Sequence, residues 1–162
     1  MKGIIFALTV LLISCSNNNN SAGSKHEREK VDMVISESRS YKYDLEHEIY
    51  TVFFLSKPAT EVTFKLSAEE KEEILNRFYT LKLDKIQDTE QLEDKCAIMP
   101  KLYDTLAVKK QASLKNIIID LSCDDFVSSE AKRVKDFVMY VKCIIDAKPE
   151  IKNAPKSDIL YL

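Results

Sequence analysis

Few residues in this 162-residue chain have the types and spacing that chemistry needs. His47, within Asp44-Leu45-Glu46-His47-Glu48, could pair with a cysteine for nucleophilic catalysis. A solvated histidine in an acidic loop is the simpler account of the same residues. His26 lies in a charged segment nearer the amino terminus. Zinc recruits several His or Cys ligands at short spacing, and H-x-H, H-E-x-x-H and C-x-x-C are all missing, so no metal site is expected.

A second acidic group, Asp84, Asp88, Glu90, Glu93 and Asp94, could offer oxygen ligands to calcium or a carboxylate pair for glycoside hydrolysis. It lacks the glycine and the alternating aspartates of an EF-hand, and Lys85 and Lys95 dilute its charge, so a solvated loop is expected. Spacing along the chain does not decide whether any two of these carboxylates meet. Cys96, Cys123 and Cys143 could form one disulfide and leave one thiol. Cys96 with Cys123 is the preferred pair, since it joins an irregular loop to the end of an Ile-rich run; closing that loop is worth about 3 to 4 kcal/mol in chain-entropy terms. Cys143 falls opposite the apolar stripe of its helix and is the expected leftover.

Composition excludes more than the motifs include. The only glycines are Gly3 and Gly23, so the region from residue 31 onward has none. Phosphate-cradling loops need glycine for close backbone approach to the ligand, which removes the dinucleotide fingerprint, the P-loop and the nucleophile elbow. No cofactor is therefore expected. With 24 basic and 26 acidic residues the net charge is -2, and no nucleic-acid partner is expected from so little excess of Lys and Arg.

The amino terminus carries a specific pattern. Met1 and Lys2 precede an apolar run from Ile4 to Ile13, about ten residues and well short of the roughly 20 that span a bilayer. Leu12-Ile13-Ser14-Cys15 closes the run and resembles the lipobox of bacterial lipoproteins, with a leucine three places before the cysteine and a small residue next to it. That resemblance implies diacylglyceryl transfer to the Cys15 sulfur, cleavage after Ser14 and acylation of the new amino terminus. Acyl burial contributes about 0.8 kcal/mol per CH₂, so two or more chains hold firmly where one holds marginally.

Residues 1–14 thus read as a signal peptide and 15–30 as a lipidated cysteine with its tether. Asn17 to Asn20, with Ser21, Ala22, Gly23 and Ser24 behind them, are too polar to offset the entropy of ordering. The Asn-rich tether is similar to those of lipoproteins of the Bacteroidota. Within the lipoprotein resemblance, Ser16 in place of an aspartate implies the outer membrane. The lack of an acidic cluster after Cys15 implies a domain facing the periplasm.

Residues 31–162 read as one α+β domain. Val31, Met33 and Ile35 alternate as a strand would, and Ile49 to Leu55 with Thr60 to Leu66 read as a hairpin across Ser56-Lys57-Pro58-Ala59. Ser67 and Glu70 form a capping box ahead of an apolar stripe containing Ile74, Leu75 and Phe78. Residues 84–100, charged and ending at Pro100, read as a loop with room for a short helical turn. Leu106 and Val108 mark another strand, and Ile117-Ile118-Ile119 a central one. A second helix is expected from Ser128 or Ser129 to a stop at Pro149, with Asp158 to Leu162 as a short last strand.

The expected architecture is a two-layer sandwich, an antiparallel sheet of four to six strands with two helices on one face. For function, the sequence suggests a lipid-anchored, non-catalytic protein that binds an envelope protein or polymer. The alternatives are a hydrolase built on carboxylates and an inhibitor of a secreted enzyme. A binding module should show a contiguous exposed apolar patch or an uncovered strand edge, whereas an enzyme should gather ionisable groups such as His47 with Asp84 or Glu90 in one pocket.

Overall fold

The computed structural model describes residues 31–37, 39–87, 90–92, 103–110, 113–120 and 128–159. Alternation builds the strands β1 (Val31–Glu37), β2 (Tyr41–Asp44), β3 (Ile49–Val52) and β4 (Thr60–Thr63). After helix α1 (Ala68–Thr80) come β5 (Glu90–Leu92), β6 (Tyr103–Lys110), β7 (Ser113–Asp120), helix α2 (Ser129–Asp146) and a single turn, α3 (Pro149–Lys152). The strands form one sheet in the order β4-β3-β2-β1-β6-β7-β5. All neighbours pair antiparallel except β5, which joins β7 in parallel. The chain is an α+β sandwich of six antiparallel strands with its two helices on one face, and short β5 extends one edge.

Register decides which side chains meet the helices. Ile35 pairs with both Tyr43 and Leu106, Tyr43 with Tyr50, and Leu106 with Ile117, so these residues share one face of the pleat. All five are buried against Ile74 and Phe78 of α1 and Val134, Phe137, Val138, Val141 and Ile145 of α2. Phe78 and Phe137 meet edge to face at 5.8 Å between centroids. Each such side chain contributes about 1.5 to 3 kcal/mol on full burial, so this layer supplies the bulk of the driving force. The opposite face carries Ser36, Lys42, Glu61, Thr105 and Asn116, none of them buried.

Local signals set the helix starts. The Ser67 hydroxyl accepts from the Glu70 amide at 3.2 Å, and the Glu70 carboxylate accepts from the Ser67 amide at 2.7 Å. Ser128 caps α2 by accepting from the Ala131 amide at 3.1 Å. Pro149 begins α3 rather than merely ending α2, since an imide nitrogen loses nothing in a first turn.

Two expectations need correction. The short helical turn of the segment 84–100 is a 3₁₀ turn at Leu83–Lys85, but the rest is not all loop, since β5 spans Glu90–Leu92. Its strand forms because the isoleucine run of β7 has a free side opposite β6, a tertiary condition absent from the local sequence. Nor do Asp158 and Ile159 belong to a strand, while 160–162 lie outside the described residues. The Asp158 carboxylate instead accepts from the Leu55 amide at 2.8 Å and the Ser56 hydroxyl at 3.2 Å. A side chain, not a ladder, ties down this end.

Without glycine, the turns place Arg39, Glu48 and Lys82 at positive φ. Lys82 follows the last residues of α1, where a left-handed residue is usually glycine, and its amide bonds the Tyr79 carbonyl at 2.9 Å. Glu48, at φ 55, does more. Its carbonyl accepts from the Phe64 amide at 2.9 Å, and its carboxylate accepts from the Leu66 amide at 3.2 Å, Lys65 at 2.9 Å and Lys71 at 2.8 Å. The turn between β2 and β3 is thereby fastened to the junction of β4 and α1. Hydrogen bonds from Lys71 and Lys65 hold the Glu48 carboxyl down to about 2, from an ordinary value of 4.5.

Two outcomes are expected. Lys82→Gly should raise unfolding stability by about 0.5 to 1 kcal/mol in urea titrations, because it removes the left-handed cost to a residue with Cβ. Glu48→Gln should cost about 1 to 2 kcal/mol at neutral pH, less than a fully buried pair because both lysines are largely exposed. The folded carboxyl titrates below its unfolded value. Its contribution is therefore complete above pH 4.5 and fades as pH falls toward about 2, so variant and wild type should converge in that window.

Candidate functional site

The sheet has two ends. Val31 pairs with Lys110 at the end where the described chain begins, and Glu37 pairs with Tyr41 and Asp104 at the far end. Toward that far end, β1 to β3, the close of α2, and α3 with the segment after it enclose a cleft of about 370 Å³. Its floor is aromatic: Tyr41 stacks on Tyr50 at 5.7 Å with an interplanar angle of 11°, and Tyr43 tilts against Tyr50 at 5.0 Å. Pairing puts these rings together, because Tyr43 lies directly opposite Tyr50 and Tyr41 is two residues along the same face.

Charged groups from three elements converge over these rings. The Tyr43 hydroxyl lies 3.5 Å from Glu37 Oε2 and 3.5 Å from Asp146 Oδ1, so one phenol stands between two carboxylates. Lys142 Nζ, one turn before Asp146 on α2, reaches Glu37 at 2.6 Å. Lys152 and Lys156 line the same cleft. Burial pushes the Tyr43 and Tyr50 phenols up, reinforced at Tyr43 by Asp146 and Glu37, so both remain neutral hydroxyls.

Asp146 is placed against its own electrostatics. Desolvation raises its pKa, Glu37 adds to the rise, and Lys142 opposes it. It is also the final residue of α2, where the unsatisfied carbonyls carry partial negative charge and disfavour a carboxylate. No basic residue occupies that last turn. Two independent costs thus fall on one side chain.

The cleft is held open by the carboxyl-terminal segment. The Ser157 amide donates to the Tyr41 hydroxyl at 3.2 Å, and the Ser157 hydroxyl donates to the Phe53 carbonyl at 2.7 Å. Beside it the β3–β4 connection leaves Leu55 75% exposed and Phe53 36% exposed. Lys57 sits over the Phe54 ring at 3.9 Å. Tyr103, Leu114 and Met139 are exposed as well, on other elements. Strand β4, the other edge of the sheet, pairs only with β3.

The residues first singled out do not assemble. His47 is exposed on the β2–β3 turn, where its Nδ1 meets Asp44 at 3.0 Å. Asp84 pairs with Lys85 at 3.2 Å, and its carbonyl accepts from Lys115 of β7. Three strand spacings separate β2 from β7, roughly 14 Å, so His47 and Asp84 share no pocket. Cys15, Cys96, Cys123, Asp88, Glu93 and Asp94 lie outside the described residues, and of Glu90 only the backbone is described. Cys143 is an exposed free thiol. Among the described residues, no three His, Cys, Asp or Glu side chains are grouped to hold a metal ion, and no helix is long and apolar enough to cross a membrane.

The motifs and spacings read from the sequence single out none of Glu37, Tyr41, Tyr43, Tyr50 and Asp146. One local signal existed: an aspartate closing an amphipathic helix, the wrong charge for that terminus. No family model matches this chain, and neither a curated protein nor a solved structure does.

If Asp146 is kept for binding and not for stability, removing its charge should help folding. Asp146→Asn is expected to raise the thermal midpoint at pH 7. A carboxyl whose folded pKa is raised loses stability as pH climbs through that pKa, so the advantage should vanish near about pH 3, where the wild type is also neutral. A midpoint lowered at both pH values would mark Asp146 as a structural residue.

Proposed function

We propose that this chain is a lipid-anchored, non-catalytic binding protein of the bacterial envelope, held by acyl groups on Cys15 at the outer membrane and facing the periplasm. What supports the anchor is the leader itself, a short apolar run ending in Leu12-Ile13-Ser14-Cys15. What supports binding is the cleft at the end of the sheet away from Val31. A tether preceding Val31 joins the opposite end, so ligand and membrane engage different poles. The observation carrying this reading is Asp146, an exposed carboxylate at a helix carboxyl terminus that lines the cleft with three tyrosines. Such a residue is costly to the fold and gains its use from a ligand.

A second reading rests on the same residues. Two carboxylates in unlike environments, Glu37 paired with Lys142 and Asp146 unpaired with any lysine at contact distance, resemble the acid and base of a glycosidase. The Tyr43 hydroxyl stands between them, where a scissile oxygen would have to enter, and this favours binding over hydrolysis. An inhibitor of a secreted enzyme would present Phe53 and Leu55 and differ from a scaffold only in its target.

The anchor is tested by fractionating cells that express the wild type or Cys15→Ala. The wild type should sediment with membranes and carry added lipid mass on a chain starting at Cys15. Cys15→Ala should retain its leader and lack that mass. A wild-type chain that begins at Met1 and washes into the soluble fraction would end the proposal. In the same preparation, pairing of Cys96 with Cys123 would leave Cys143 as the single reactive thiol. Crosslinking from a photoreactive group at Leu55 should recover a reproducible envelope neighbour that is lost when the group is moved to His47.

A further inference from the structure

We infer that the tyrosine cleft takes a saccharide, an uncharged ring bearing adjacent hydroxyls, as its ligand. The inference rests on the reading that the far end of the sheet is the binding end.

The cleft carries charges of both signs, Glu37 and Asp146 with Lys142, Lys152 and Lys156, and Glu37 and Lys142 already pair with each other. A neutral ligand that both donates and accepts hydrogen bonds at short spacing satisfies both sets at once. Vicinal hydroxyls do this: each donates to a carboxylate oxygen and accepts from an ammonium or phenol. Asp146 has the capacity for it. Among the described residues its hydrogen-bond partner is the Tyr43 hydroxyl at 3.5 Å, a long contact that leaves acceptor capacity for a ligand.

Aromatic rings supply the rest. Tyr41 lies flat on Tyr50 and is only half-buried, so the stack presents a ring face on which the C–H face of a sugar can rest. The orientation of that face is fixed, because the Tyr41 hydroxyl is held by the Ser157 amide. A ring preorganised in this way loses little entropy on binding. At about 370 Å³ the cleft falls within the usual range of about 300 to 1,000 Å³ for small-molecule sites. A peptide would be expected instead at the unpaired edge of β4, where main-chain hydrogen bonding is available.

The full chain, purified in detergent, would be titrated with cellotetraose, maltotetraose and chitotetraose by calorimetry and by tyrosine fluorescence, which no tryptophan obscures. At least one should bind saturably at concentrations up to about 10 mM, the range of weak single-ring recognition. Asp146→Asn and Tyr41→Ala should each weaken it by about tenfold, or ~1.4 kcal/mol. Asp146→Asn is the variant expected to keep its fold. His47→Ala, at the opposite end, should bind like wild type. No saturable binding by any of the three, or affinity unchanged in Asp146→Asn, would overturn the inference. Cleavage of a bound tetrasaccharide would support the saccharide site and overturn the non-catalytic reading. If the crosslink from Leu55 recovers a neighbour while the sugars fail, this inference falls and the binding pole stands; if both fail, both fall.

Discussion

The carboxylate of Glu48 carries the pairing of β3 with β4 one step further, from the β2–β3 turn onto the start of α1. Its backbone sits in a left-handed conformation that an ordinary residue adopts only at some cost, and three donors from the β4–α1 junction converge on its oxygens. That junction decides where α1 starts, and α1 decides how α2 lies across the sheet: Glu70 of α1 holds Lys148 beyond the end of α2 at 2.7 Å through both oxygens. Arg133, at the other end of α2, donates to the Leu81 carbonyl at 3.3 Å. The two helices are therefore pinned antiparallel at both ends. The close of α2 is left over Tyr43, and the cleft follows from that placement.

The lack of glycine has a structural consequence beyond the motifs it excludes. Every reversal that needs positive φ must use a residue with a Cβ, and the chain puts Arg39, Glu48 and Lys82 there. Glu48 recovers the cost through its hydrogen bonds. Lys82 has no side-chain cap bond, so its turn rests on backbone contacts alone. Polar side chains do much of the remaining fastening. Ser157 and Asp158 bind the β3–β4 connection across more than a hundred residues of sequence without forming a strand.

Stability and use pull apart at Asp146. Elsewhere the helix ends follow electrostatic preference, with Glu70 near the start of α1 and Arg77 in its last turn. The end of α2 departs from it, and does so under the one group of tyrosines that also gathers a second carboxylate and several lysines. A departure from local preference is where a binding site is expected in a domain otherwise consistent with its own sequence. The turn at His47 shows the contrast: its histidine and carboxylates satisfy one another in solvent, at no cost to the fold.

Much of the fold was legible along the chain because its signals are local. Alternation over Val31 to Ile35 and Thr60 to Thr63, the Ser67–Glu70 box and the Ser128 cap each act within a few residues, and the two-layer class follows from burying the apolar faces they create. Strand β5 was not legible, since three residues become a strand only when β7 offers a free edge. The cleft was not legible either. Glu37, Tyr43 and Asp146 are brought together by register and by the crossing of α2, with as many as 103 residues between the contacting pair Tyr43 and Asp146. Spacing ranks residues by their neighbours in sequence, whereas hydrogen bonds and desolvation act over a few ångströms in space. The sequence by itself therefore determined β1, β3, β4, β6 and β7, the helix starts and the absence of glycine-built sites. Only the packed sheet and helices decided which carboxylates face one another.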